Sequence, residues 1–394
     1  MTAVKNVLVS GASIAGPALA HWLGRRGVRA VVLEKAPARR TGGYAIDLRG
    51  KAVDVAERMG VLDGVRAAGT EIAGARMVGA DGRTRAALGT GLIAPEDRDL
   101  EILRGDLVTL LHEAAPDAEY RYGDSITALE DRGDRVAVEF ASGAAEDFDL
   151  VVGADGLHSH TRALAFGPER PFRRFLQSYV SIATVPNRLG LDREAVLFNT
   201  PGRVAALYHT PRAAGAKALL LHRTGTETDI DRRSPAEQRA HLREVFAGTG
   251  WETDRILADF EDTDDFYFDS VTQIRMPTWS KGRVVLLGDA GYCPSPMSGQ
   301  GTSLALVGAY VLAEELAARD EPEAALTAYE RRMRPYAEAN QAIAAPGLDF
   351  IAPATGFAIK ARNALLKSGP LLRLLSRFDS KLSRAAEAID LDAR

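Results

Sequence analysis

Gly288-Asp289 closes a short apolar strand, Val284–Leu287, and leads into Pro294, Pro296, Gly299-Gln300-Gly301 and a helical run from Thr302. A carboxylate at the C-terminal end of a strand stands where ligands bind in open α/β sheets, and it accepts hydrogen bonds from sugar-like hydroxyls. The two prolines stiffen the loop. Gly299 and Gly301 let backbone N–H groups approach an electron-rich ring, and the positive end of the helix favours negative charge there. Far upstream, Gly11-Ala12-Ser13-Ile14-Ala15-Gly16 follows the apolar strand Lys5–Val9. Gly11 suits a tight turn, Gly16 close helix–sheet packing, and the helix N-terminus faces a pyrophosphate. Glu34, 18 positions after Gly16, closes the next strand, Ala30–Leu33, at the spacing of a ribose-binding carboxylate. The two ends describe grips on one long dinucleotide.

That dinucleotide is read as FAD, held at its adenosine end and again at its ring. A third motif, Gly153-Ala154-Asp155-Gly156-Leu157-His158-Ser159-His160-Thr161-Arg162, ends a buried strand in an Asp-Gly turn. Asp155 is placed to hold the N–H groups of that turn, and Arg162 to offer positive charge near the pyrophosphate.

The motif order GASIAG, ADGLHSHTR, LLGDAGYCPSPMSGQG resembles the single-component, FAD-dependent aromatic hydroxylases of the para-hydroxybenzoate hydroxylase type. Within them it is most similar to monooxygenases acting on polyketides and tetracyclines. The resemblance implies that Gly11, Ser13, Ile14, Ala15, Gly16, Glu34, Lys35 and Arg40 hold the adenosine and pyrophosphate part. It assigns Asp155 and Gly156 to a turn linked to FAD and nicotinamide, and Gly288 and Asp289 to the ribityl chain. Arg104, Ala45, Asp47, Pro296, Gly299, Gln300, Gly301 and Thr302 are expected around the ring. Two departures stand out: Ser13 replaces a glycine, and Tyr292 stands where many relatives have histidine.

The implied reaction uses NADPH or NADH to reduce FAD, and O2 to form a C4a-hydroperoxyflavin that hydroxylates an aromatic or polyketide-like molecule. No second nucleotide fold is evident, so nicotinamide binding is expected to be transient. Gly42-Gly43 suits a flavin that moves between two positions. A flavin-dependent reductase, an oxidase and a non-catalytic drug-sequestering flavoprotein share the same cofactor motifs. A flavin halogenase is set aside, because Trp22, Trp251 and Trp279 lie far apart. Tyr208, His209 and His222 are candidates for a substrate base, against structural roles. Cys293 is either a packed thiol or a thioether link to the ring. His158 and His160 bracket Ser159 without the Asp/Glu company of a metal site and read as turn residues, so no metal site is expected.

Around these motifs the chain must build a discontinuous Rossmann-like α/β domain with an inserted antiparallel-sheet domain. The expected FAD-binding segments are 1–70, 100–170 and 278–345. Segments 71–99 and 171–277 form the substrate domain, with one helix, Pro235–Phe246, against the sheet; 346–394 is a helical tail. In that tail Leu371, Leu374, Leu375, Phe378 and Leu382 form a stripe suited to packing across the domains or to a membrane surface.

With 46% hydrophobic and 26% charged residues in 394, the chain supports a large core. A net charge of −4 gives no footprint for nucleic acid. The single cysteine suits a reducing cytoplasm. No leader and no membrane-spanning run are expected, and the chain is expected to act as a monomer or weak oligomer.

Overall fold

The computed structural model describes residues 4–39, 42–89, 98–367 and 381–393. Its centre is a six-stranded sheet. Asn6–Ser10 lies between Arg29–Glu34 and Leu150–Gly153, all parallel, with Val284–Leu286 beyond the last. These strands are runs of mainly Val and Leu buried on both faces, as a parallel sheet requires. The three motif-bearing turns therefore emerge at one sheet edge, side by side.

Helix Ala15–Gly24 covers one face together with Gly301–Ala318, which also packs on Pro322–Ala342. Gly301–Ala318 is long and apolar enough to cross a bilayer, contrary to expectation, but it is a core helix with most of its length buried. On the other face lies a small antiparallel sheet of Ile126–Asp131, Val136–Phe140 and Ala145–Phe148.

A seven-stranded sheet forms the second layer. Tyr267–Ile274, Arg173–Val185, Ala216–Arg223, Arg203–His209 and Glu194–Thr200 pair antiparallel in that order, and Gly74–Val78 then Thr84–Gly89 complete it. The sheet is mixed rather than purely antiparallel, because Glu194–Thr200 pairs parallel with Gly74–Val78. Two helices cover it, Pro235–Phe246 and Thr253–Glu261, where one was expected. The second is short, and its apolar positions Ile256, Leu257 and Phe260 merge into the same core.

Alternation divides this sheet into two faces. Tyr179, Ala183, Ala205, Leu207, Ala218 and Leu220 meet the two helices. Val180, Ile182, Val204, Ala206, Leu219 and Leu221 turn toward Tyr44, Met297, Leu348 and Ile351. The tail contains helix Gly356–Lys367, which rests on the edge strands. Leu371, Leu374, Leu375 and Phe378 of the apolar stripe lie outside the described residues.

Candidate flavin and substrate site

Gly11 has φ +113°, and its N–H donates to the Leu33 carbonyl at 2.7 Å. A Cβ here would meet the Ala154 carbonyl oxygen at 2.4 Å, so the first and second motifs touch through backbone. A Cβ on Gly16 would stand 1.9 Å from the Gly11 carbonyl oxygen. Both positions therefore require glycine, and the helix behind them starts hard against the turn. The Glu34 carboxylate accepts from the N–H groups of Ala12 (3.1 Å) and Ala36 (2.9 Å), which fixes it over the turn. Lys35 beside it is exposed, and Arg40 lies outside the described residues.

The distant third motif arrives at the same place. Gly288 has φ +65°, and a Cβ on it would lie 3.5 Å from that of Ala15. A Cβ on Gly301 would be 3.8 Å from Asp289 Oδ1, and one on Gly299 would be 3.2 Å from Asp47 Oδ2. Asp289 and Asp47 thus flank the loop Pro296–Gly301. Burial pushes both carboxyls up. The Cys293 thiol and the Arg104 charge act against this at Asp289, and the Arg49 guanidinium, 3.3 Å away, does so at Asp47. Arg104 reaches from Leu103–Gly105 to donate to Ser13 Oγ at 2.7 Å, and its N–H donates to the Tyr44 carbonyl.

Gln300 is fully buried, yet neither atom of its amide has a partner. A buried amide left unpaired costs free energy. It sits beside the N-terminus of Gly301–Ala318, whose first N–H groups also lack helical partners. A ring carrying both carbonyl and N–H edges satisfies this set. The glycine cradle, the carboxylates of Glu34 and Asp289 and the unpaired amide of Gln300 together fit FAD.

Other expected residues have different surroundings. Asp155 accepts from Ser159 Oγ, Thr161 N–H (2.8 Å) and Thr161 Oγ1 (2.9 Å), so it anchors the start of helix His160–Phe166. Arg162 is engaged within the protein. It is fully buried and donates to the carbonyls of Leu157 (2.7 Å) and Ala290 (2.8 Å) and to Glu169 (2.7 Å). His158 gains carboxylate company that its own segment lacks: Glu169 and Asp269 each stand 3.1 Å from one ring nitrogen, and Asp231 is close by. Arg173 pairs with Asp231 at 2.6 Å. Hydrogen bonds to Asp269 and Glu169 push His158 up to about 9.

Of the three base candidates, only Tyr208 lies on the face turned toward the ring loop. Its oxygen accepts the Ala45 N–H at 2.9 Å. His209 follows the alternation of Ala205 and Leu207 toward the opposite face. His222 has the surroundings of a structural residue: it is buried under the covering helices, stacked on Tyr179 and 3.1 Å from His241. Burial depresses it to about 3. Tyr292 turns away from the ring into the core, bonding Tyr329 Oη at 2.8 Å beneath Trp279. Cys293 is buried, its Sγ 3.7 Å from the Thr272 carbonyl, and burial pushes its thiol up, as for a packed residue.

Tyr267 and Asp269 escape sequence reasoning. The alternation in Tyr267–Ile274 puts them on one side, but only strand pairing tells which side meets the ring loop.

The FAD binding domain family matches residues 5–344. A flavin-dependent monooxygenase from an unknown prokaryotic organism is 43% identical over 343 residues, spanning 87% of this chain and 89% of that protein. The crystal structure of the tetracycline destructase Tet(55) matches with a TM-score of 0.86 at 38% identity, covering 100% of both chains. That of the tetracycline destructase Tet(51) matches at 0.87 and 33% identity, covering 99% of this chain and 100% of that one. The chain belongs to the FAD binding domain family, among the flavin-dependent monooxygenases of the para-hydroxybenzoate hydroxylase type.

Proposed function

We propose that this protein uses NADPH or NADH and O2 to hydroxylate a polycyclic aromatic or polyketide-like molecule bearing phenolic or enolic hydroxyls. In this reading segments 71–99 and 171–277 form the substrate half, and the protein works in the cytoplasm. The observation that carries it is the apolar sheet face of Val180, Ile182, Leu219 and Leu221, which packs directly against Tyr44 and Met297 of the ring loops. Such a surface suits several fused rings better than one. The likeness to tetracycline destructases supports the same substrate class.

Bound FAD would supply the redox chemistry, from hydride acceptance to activation of O2. The chain's own residues bind and orient. Glu34 would hold the ribose, Asp289 the ribityl hydroxyls, and the Gly301 helix end the negative charge of the reduced ring. Leu348, Ile351 and the sheet face would exclude water from the reacting centre. Tyr208 keeps Ala45 in place beside the ring.

The test is purification, a visible spectrum, and NADPH or NADH consumption with tetracycline and hydroxyanthraquinones under labelled O2. Stimulated consumption with one labelled oxygen atom in the product is expected. Peroxide equal to nicotinamide consumed, with no labelled product, refutes the reading in favour of an oxidase. An unlabelled, reduced product would make it a reductase, and tight binding without turnover a sequestering protein.

A further inference from the structure

The face of the seven-stranded sheet turned toward Tyr44 and Met297 carries a polar chain that the cofactor motifs do not use. Tyr267 is paired with Ile182 and Asp269 with Val180 across the antiparallel ladder. Directly opposed residues of such a pair share a face. Both side chains therefore stand with Val180 and Ile182 on the surface turned toward Tyr44 and Met297. The Tyr267 ring centroid lies 6.2 Å from that of Tyr44, and 38% of the residue remains open to solvent.

The hydrogen bonds of this chain converge on Asp269. Tyr267 Oη donates to Asp269 Oδ2 at 2.9 Å. Asp269 Oδ1 accepts the Ser270 N–H at 2.7 Å and lies 3.1 Å from His158 Nε2. His158 Nδ1 lies 3.1 Å from Glu169. The charges around His158 are the carboxylates of Glu169, Asp269 and Asp231, with Arg162 and Arg232 on Glu169 and Arg173 on Asp231. Set between carboxylates, a protonated imidazole donates from both nitrogens. Asp269 thus meets donors on every side, and it takes the single hydrogen of the Tyr267 phenol. What Tyr267 then presents to the cleft is lone pairs alone.

We propose that Tyr267 selects substrate by acting as an obligatory hydrogen-bond acceptor for a phenolic or enolic O–H, with Asp269 and His158 as the positioning residues that set this polarity. The proposal rests on the monooxygenase reading of the cleft. It goes further by naming the group the substrate must present: a hydroxyl rather than its ether or ketone.

The experiment uses FAD-loaded protein and two probes of near-equal shape, 1-naphthol and 1-methoxynaphthalene. Each is titrated against the wild type, Tyr267→Phe and Asp269→Asn, and binding is followed by perturbation of the flavin spectrum. The wild type is expected to favour the naphthol by about tenfold, the worth of one well-made hydrogen bond. Tyr267→Phe is expected to bring the two affinities within about twofold of each other by weakening only the naphthol. Asp269→Asn frees the phenolic hydrogen and is expected to narrow the ratio by strengthening the ether. An unchanged ratio in Tyr267→Phe overturns the proposal, as does a wild type that binds both probes equally or neither. A normal flavin spectrum in the same samples keeps that outcome apart from failure of the cofactor reading. Thermal melts confirm that each variant is folded.

Discussion

Arg104 Nη2 donates to Ser13 Oγ across 2.7 Å, joining the start of helix Arg104–Glu113 to the Gly11–Gly16 turn, 91 positions away in sequence. Arg104→Met is expected to weaken FAD binding by about tenfold, and Ser13→Ala by less. Quenching of flavin fluorescence on titration measures both. Equal affinities in wild type and Arg104→Met contradict the assignment.

Gly16 tests the cradle by steric means. A Cβ at this position would collide with a backbone oxygen at 1.9 Å, which no side-chain rotation relieves. Gly16→Ala is expected to lose more than about 3 kcal/mol in urea unfolding and to purify without colour. Gly24, at the far end of the same helix, has no atom within 4 Å of where its Cβ would stand. Gly24→Ala is expected to be neutral or to stabilise by up to about 1 kcal/mol.

Arg162 has no exposed surface and serves two carbonyls and Glu169. Arg162→Met takes the donor from the Leu157 and Ala290 carbonyls and one of the cations from Glu169, which keeps His158 and Arg232. A loss of about 3–5 kcal/mol is expected, read by denaturant unfolding at pH 7. A change below about 1 kcal/mol contradicts this account of the residue.

Acid should destabilise the seven-stranded sheet and its covering helices through His222. Its folded value near 3 lies below the ordinary 6.5, so the unfolded chain binds the extra proton between these limits. The contribution is complete above pH 6.5 and is lost as pH falls toward 3. His222→Phe is expected to flatten that part of the stability profile, measured by melting temperature against pH.

His158 has the opposite sign. Its folded value of about 9 exceeds 6.5, so its stabilising contribution is complete below pH 6.5 and disappears as pH rises through 9. His158→Gln is expected to remove this alkaline slope while sparing the acid one. A histidine NMR titration near 6.5 for His158 contradicts the carboxylate contacts described.

The chain itself determined the parts that depend on local geometry. Gly11, Gly16 and Gly288 need their freedom because of turns a few residues long, and apolar runs such as Val284–Leu286 declare a buried parallel strand. Asp289 and Gln300 were legible for the same reason, since their places follow from a strand end and a helix start. Fold class followed from the order of those signals. The surroundings of Arg162, His158 and His222 were not legible, because their partners lie on other elements: Ala290, Asp269 and His241 come from 128, 111 and 19 positions away. A strand's alternation names two faces but not which one is covered by helices. That choice, and with it the placing of Tyr267 and Asp269 on the face toward Tyr44 and Met297, was made only when the ladders to Arg173–Val185 formed and two helices buried the other side.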